Sequence, residues 1–228
     1  MTWPKPLQPL REALVFLGTG KIIEKQVKKD NNIIYGARAA KKQIGFVARP
    51  TQDYDILSPR PRRSARKLER NLDRQAGRDI YYMKPAMHPG TFKVKSKGFD
   101  GKKNTPDDKE VADFTKPNRK YKTKTIEGIR YVTLAEIKKD KRTALADKQF
   151  AFRHAKDQED LDRIKLAKEM GIRYRWINMP KYQAFNRKIQ AWVKYHFTTK
   201  GFKALDVKQR NPLVAFKGVP KRGKTRRR

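Results

Sequence analysis

Leu10, Leu14 and Leu17 recur at spacings of four and three, which places them on one face of a helix predicted over 7–29. Gly18 and Gly20 are expected to break or bend it. The turn residues Asp30-Asn31-Asn32 then precede a short apolar burst, Ile33-Ile34-Tyr35, which reads as a buried strand closed by Gly36. A short helix is predicted to start at once, over 37–44. Residues 53–57, Asp53-Tyr54-Asp55-Ile56-Leu57, alternate as a strand does. Pro59 and Pro61 stop that strand and open a helix to about Arg78.

Further on, 91–97 alternates apolar and polar positions and predicts a strand. Residues 98–108 form a polar, glycine-containing loop expected to be mobile. Short strands follow over 110–115 and 129–132, then helices over 134–152 and 157–170, the latter with Leu161, Ile164 and Leu166 among its apolar positions. A helix opened by Pro180 runs to about Phe197, with Phe185, Ile189, Trp192 and Val193 spaced for one face. Trp176, Trp192 and Tyr195 are expected in the core of this C-terminal region, and His154 reads as a structural or surface residue. In 217–228, seven of the twelve residues are basic and little could pack, which predicts a solvated tail. The expected class is α/β (α+β): a mixed sheet flanked by helices, with a helical C-terminal region and a basic tail. The expected divisions are an N-terminal helix (1–30), a sheet-bearing core (31–132), the helical region (133–200) and the tail (201–228).

Composition narrows the chemistry. The 228 residues contain no cysteine, which excludes a disulfide scaffold, thiol catalysis and thiolate metal sites. The three histidines, at 88, 154 and 196, are too scattered for a histidine-rich centre. No apolar run approaches the roughly 20 residues of a membrane span. The opening Met1-Thr2-Trp3-Pro4 shows no charged leader followed by an apolar stretch, so no secretory signal is expected and a cytoplasmic setting is the default. Set against this, 58 Lys and Arg face 23 Asp and Glu, a net charge of +35. So large an excess on so small a body implies a polyanionic partner, nucleic acid before an anionic membrane.

The stretch from Ile33 to Leu57 carries the candidate chemistry. Residues i and i+2 of a strand share a face, so Asp53 and Asp55 are expected to project together. Two adjacent carboxylates repel unless a cation lies between them, which suits the pair to magnesium. The strand–Gly36–helix turn before them offers backbone N–H groups and the positive end of a helix dipole, a seat for phosphate. Metal pair and anion turn together are the parts of a metal-assisted phosphoryl or nucleotidyl transfer.

With these residues in order, the sequence resembles the nucleotidyltransferase (polymerase-beta-like) superfamily, in its small abortive-infection-toxin and minimal forms. The resemblance rests on Ile34-Tyr35-Gly36-Ala37-Arg38, then Arg49-Pro50-Thr51-Gln52-Asp53-Tyr54-Asp55-Ile56, and on Arg153-His154-Ala155-Lys156-Asp157-Gln158-Glu159-Asp160-Leu161, and covers about residues 10 to 170. It implies a nucleotidyltransferase-like catalytic core. Asp53, Asp55 and Asp113, the last in Val111-Ala112-Asp113-Phe114, would be the catalytic and metal-binding set for two Mg2+ ions. A nucleoside triphosphate would sit at Gly36, Ala37 and Arg38, with Lys141 as a further contact. One position departs from the pattern: Ala37 stands where the family carries Ser or Gly, removing a hydroxyl or an open backbone approach.

A second signal lies in the helix after the Asp-Tyr-Asp strand. Arg62, Arg66, Arg70, Arg74 and Arg78 recur every four residues and so line one ridge, spanning about 24 Å at roughly 1.5 Å per residue. Glu69 and Asp73 offset only part of their mutual repulsion. Guanidinium groups so arranged form a rail for phosphates. The C-terminal Arg226, Arg227 and Arg228 would extend the footprint, together with Lys138-Lys139, Lys141-Arg142 and the lysines of 93–103.

Two function classes emerge. One is an Mg-dependent nucleotidyltransferase acting on a nucleic-acid end, RNA ahead of DNA. The other is a scaffold of the same fold, its pocket altered at Ala37, that binds RNA or DNA within a ribonucleoprotein particle or a virion.

Overall fold

The computed structural model describes residues 8–98 and 100–169, apart from the side chains of residues 8–17 and of residue 46. The expected side-chain face of Leu10, Leu14 and Leu17, the helix over 180–197 with its aromatic residues, and the basic tail fall outside that description. The chain divides into two compact units, one of Met1–Ala39 with Pro50–Ile137 and one of Ala40–Arg49 with Lys138–Arg228.

The first unit is built on a mixed seven-stranded sheet, order β3-β4-β5-β2-β1-β7-β6 among the described residues. Its strands are β1 (Ile33–Tyr35), β2 (Tyr54–Leu57), β3 (Tyr81–Pro85), β4 (Thr91–Ser96), β5 (Lys109–Thr115), β6 (Thr123–Ile126) and β7 (Ile129–Val132). The helices α1 (Gln8–Lys29) and α3 (Pro61–Ala76) belong to the same unit, and α2 (Gly36–Ile44) starts in it. β1 runs antiparallel to β2 and parallel to β7, and β2 runs parallel to β5. The mixed sheet with flanking helices is the fold class that the alternation of patterns predicted.

Four departures have local causes. Gly18 and Gly20 do not break α1, which continues to Lys29; a Cβ on Gly18 would meet nothing within 4 Å, and Gly20 lets the Tyr54 hydroxyl approach. β3 and β6 were not anticipated, because Tyr82-Met83-Lys84 and Thr123-Lys124-Thr125 lack clean alternation; pairing with β4 and β7 makes them strands. The segment 98–108 is tethered, not loose: Asp108 accepts from Tyr82 Oη and from the Gly98 and Thr105 amides at 3.2 and 3.1 Å. The third helix stops at Ala76, where Gly77 caps it at φ +67°, so Arg78 lies beyond the ridge.

The core of this unit follows from period-two and period-3.6 burial. Ile34, Ile56 and Phe114 lie side by side across β1, β2 and β5 and are buried, with the half-buried Phe92 of β4 at the end of the row. Under α3, Pro61, Ala65, Leu68 and Leu72 recur on one face and are buried. Gln26 ties α1 to α3, donating to the Ser64 carbonyl at 2.9 Å and accepting from Asn71 at 2.9 Å.

In the second unit, α5 (His154–Glu169) contacts the 3-10 turn Gly45–Val47, and Arg163 donates to the Val47 carbonyl at 3.0 Å. The predicted helix over 134–152 is α4 (Leu134–Ala146) followed by a separate 3-10 segment, Lys148–Arg153, capped by Asp147. No described helix is long and apolar enough to cross a membrane.

Candidate active site

Sheet register assembles the site. Tyr35 lies opposite Asp55 in the β1–β2 pair, Asp55 opposite Asp113 in the parallel β2–β5 pair, and Asp113 opposite Lys93 in the β5–β4 pair. Residues in register share a face, so Tyr35, Asp55, Asp113 and Lys93 form one row across four strands. The row is capped by the turn at Gly36, whose φ is +63°. A Cβ built there would lie 2.0 Å from Asp55 Oδ2, so only glycine lets this carboxylate press against the chain at the start of α2. Ala37, the next residue, is buried.

Asp53 is held differently. It precedes β2 instead of belonging to it, and its carboxylate accepts from the Thr51 hydroxyl. Arg38 fixes the segment by donating from Nε to the Asp53 carbonyl at 3.1 Å and from Nη2 to the Gln52 carbonyl at 2.9 Å. Its guanidinium also stacks 4.3 Å from the centre of the Tyr54 ring. Arg38 therefore braces the backbone that carries Asp53. Burial, with Glu24 accepting from its hydroxyl, pushes Tyr54 up to about 12, so it stays neutral.

Asp113 is strongly perturbed within the row. Burial first, then the charges of Glu110 and Asp55, push its carboxyl up to about 7, against the pull of Lys93. Its Oδ1 is buried without a hydrogen-bond partner, while Oδ2 lies 3.5 Å from Lys93 Nζ. The same ammonium is 2.5 Å from Glu110 Oε2. Sequence reading missed Glu110 because strand alternation puts it on the opposite face from Asp113. A register shift at Val94/Lys95 pairs Lys95 with Glu110, leaving Val111 as the extra residue and turning Glu110 onto the Asp113 face. Lys93 was findable, as the alternation of β4 puts it with Lys95 on one side.

A hard divalent cation suits this donor set, since carboxylate oxygens are its preferred ligands and Asp113 Oδ1 is buried without a hydrogen-bond partner. Asp55 and Asp113 would hold such an ion, with Asp53 two residues before Asp55. Among the described residues no three His, Cys, Asp or Glu side chains converge as a metal centre, so the row supplies a pair and not a closed cage.

Two other predicted sets are placed elsewhere. In the second unit, Lys141 is ion-paired with Asp157 and Asp160, at 2.7 Å each. Asp157 also accepts from Arg153 at 2.8 Å; burial alone would raise its pKa, but Lys141 and Arg153 hold it below the usual carboxylate range. Arg49 reaches Asp160 at 3.3 Å. Of the Arg153-Lys156-Asp157-Asp160 element read from the sequence, Arg153, Asp157 and Asp160 thus join an ion network with Lys141 and Arg49, while Lys156 is exposed. Arg62, Arg66, Arg70 and Arg74 do form one exposed ridge of α3. The two acids of that helix point away from it: Asp73 accepts from the Ile80 and Tyr81 amides at 2.9 Å, and Glu69 is hydrogen-bonded to the Met83 backbone. The tail arginines 226–228 lie outside the described residues.

Comparison with known proteins bears on the fold. No protein-family model matches the chain, and no curated protein matches it in sequence. Among solved structures, the Megavirus polyadenylate synthase superposes with a TM-score of 0.50 at 18% identity, over 73% of this chain and 36% of that one. JHP933 from Helicobacter pylori matches with a TM-score of 0.44 at 16% identity, over 66% of this chain and 65% of its own. An H. pylori protein described as a candidate nucleotidyltransferase matches at 0.45 and 13% identity, over 87% and 89%. The fold is nucleotidyltransferase-like. This chain spans about a third of the viral enzyme it matches.

Proposed function

We propose that this protein is a nucleotidyltransferase that binds nucleic acid, RNA ahead of DNA, and transfers a nucleotide from a nucleoside triphosphate to a nucleic-acid end with Mg2+. The observation that carries the reading is the in-register pair Asp55–Asp113, in which Asp55 presses against a left-handed Gly36 and Asp113 has a buried oxygen without a hydrogen-bond partner. A nucleotidyltransferase-like fold supports it, and the viral polyadenylate synthase, which shares that fold, is a protein of nucleotide chemistry.

When bound at the carboxylates, Mg2+ supplies charge neutralisation and orientation for the triphosphate. The chain's own residues do the rest. The Gly36 turn approaches the phosphates with backbone N–H groups at the start of α2. Asp113, in register with Asp55, accepts the proton of the acceptor hydroxyl as that oxygen bonds to the α-phosphorus and the α–β bridge breaks, releasing pyrophosphate. Arg38 keeps Asp53 in place through the backbone that carries it. The arginine ridge of α3 holds the nucleic acid through its backbone. The reading suits a protein of the cytoplasm, or of a nucleoprotein particle or virion, and gives no part to Lys141, which Asp157 and Asp160 hold.

Purified protein incubated with labelled nucleoside triphosphates, Mg2+ and total RNA should transfer label, and Asp55→Asn with Asp113→Asn should abolish transfer. An absence of transfer to any acceptor, alongside tight salt-sensitive RNA binding, would overturn the enzyme reading. The scaffold reading, favoured by the buried Ala37 methyl at the family's Ser or Gly position, would then stand.

A further inference from the structure

The face of the sheet opposite the carboxylate row carries a groove that catalysis does not use. Phe92 and Lys93 are consecutive in β4, so strand alternation directs Phe92 away from Asp113 and towards α3. There, α3 and the ends of β4 and β5 border an open groove of about 860 Å³, far more than one phosphate needs. One wall is the ridge Arg62, Arg66, Arg70 and Arg74; a second ridge carries Arg63 and Lys67. Arg60 and Lys116 also line the groove, and the half-buried Phe92 is the one aromatic ring in the lining.

Among the described residues, no carboxylate forms an ion pair with Arg62, Arg63, Arg66 or Arg70, and Arg74 only donates to Asn71 Oδ1 at 3.5 Å. Lys67 is the exception, paired with Asp30. A helix that keeps this many cations unneutralised, with Glu69 and Asp73 both turned to β3, carries a charge deficit that a polyanion removes.

We infer that this groove anchors a single-stranded segment of nucleic acid, its phosphates on the α3 ridges and one base stacked on Phe92. The inference rests on the reading above of a chain that acts on nucleic acid, and adds where the strand is held: across the sheet from the carboxylates, so that it grips the body of the strand and not its reacting end. Phosphates alone would call for cations alone. An aromatic floor between cationic walls adds a face for a base, and only an unpaired base can reach it.

Fluorescence anisotropy of the full chain with labelled oligouridine, and with a blunt RNA duplex of equal phosphate number, tests this. Phe92→Leu keeps an apolar side chain but removes the ring. It should weaken single-strand binding about 5- to 100-fold and leave duplex binding unchanged, whereas Phe92→Trp should hold or tighten it. Arg66→Gln with Arg70→Gln should weaken both and flatten the single-strand salt slope by about 1.4, roughly 0.7 per lost phosphate contact. Circular dichroism confirms that each variant is folded. Unchanged single-strand affinity in Phe92→Leu, or equal losses on strand and duplex, overturns the inference and leaves a surface for any polyanion, with heparin competing equally. Binding and transfer are read separately on each variant. Lost single-strand binding in Phe92→Leu, with no transfer by wild type, would uphold the anchor while sinking the enzyme; intact binding with active transfer would do the reverse.

Discussion

Substituting Gly36 by alanine tests the geometry on which the candidate site depends. Two costs are readable from the structure. The backbone stands at φ +63°, where a Cβ costs roughly 1–2 kcal/mol. The new methyl would also lie 2.0 Å from Asp55 Oδ2 and 2.9 Å from its Cγ, so the carboxylate must leave its position. An off-rotamer side chain costs about 0.5–1.5 kcal/mol, which makes the total about 2–3 kcal/mol. A double-mutant cycle separates the two. In an Asp55→Ala background only the Cβ of residue 55 stays near the methyl, at 3.3 Å, so Gly36→Ala should cost little beyond its backbone share there, a coupling of about 1 kcal/mol. Asp55→Asn serves as the steric control, since it removes the charge but keeps the shape and should retain the coupling. Urea denaturation followed by far-UV circular dichroism at pH 7 reads all the variants. A coupling below about 0.5 kcal/mol, within the usual additivity of independent sites, would refute the close approach of Gly36 and Asp55.

The pH response of Asp113 is a second check. Its carboxyl is raised to about 7 in the folded chain, so folding takes up a proton and wild type loses stability as pH rises from about 4 to about 7, by at most roughly 1.4 kcal/mol per unit. Asp113→Asn lacks that loss, and its advantage over wild type should grow from near zero at pH 4 to about 2 kcal/mol or more at pH 8; parallel stability curves for the two proteins would contradict it. In the second unit, Asp157→Asn should cost on the order of 3 kcal/mol at pH 7 by leaving Lys141 and Arg153 short of a buried partner. Because the Asp157 pKa is depressed, wild type holds that contribution above the ordinary carboxylate range and loses it as pH falls through the folded value. Hydrogen-exchange protection along α5 at pH 7, compared between the two proteins, measures the cost, and equal protection would argue against the network.

What the amino-acid order determined by itself was local. Pro61 and the ridge of arginines required an exposed helix with one apolar face, and α3 has both. Ile33-Ile34-Tyr35 before Gly36 required a strand and a turn, and Asp55 followed on the next alternating segment. These features depend on residues three or four apart, or two apart, which periodicity alone can rank. Tertiary structure decided what depends on distant partners. Asp53 and Asp55 are near in sequence but held separately, since Thr51 and Arg38 hold one while the strand register sets the other against Asp113. Glu110 joined that row only through a register shift between β4 and β5, a displacement that no spacing within either strand records. Lys141 met Asp157 and Asp160 because α4 and α5 bring together residues 16 and more positions apart in the chain. Phe92 and the arginines form one groove for the same reason: a sheet and a helix must close on each other before a charge pattern becomes a cavity.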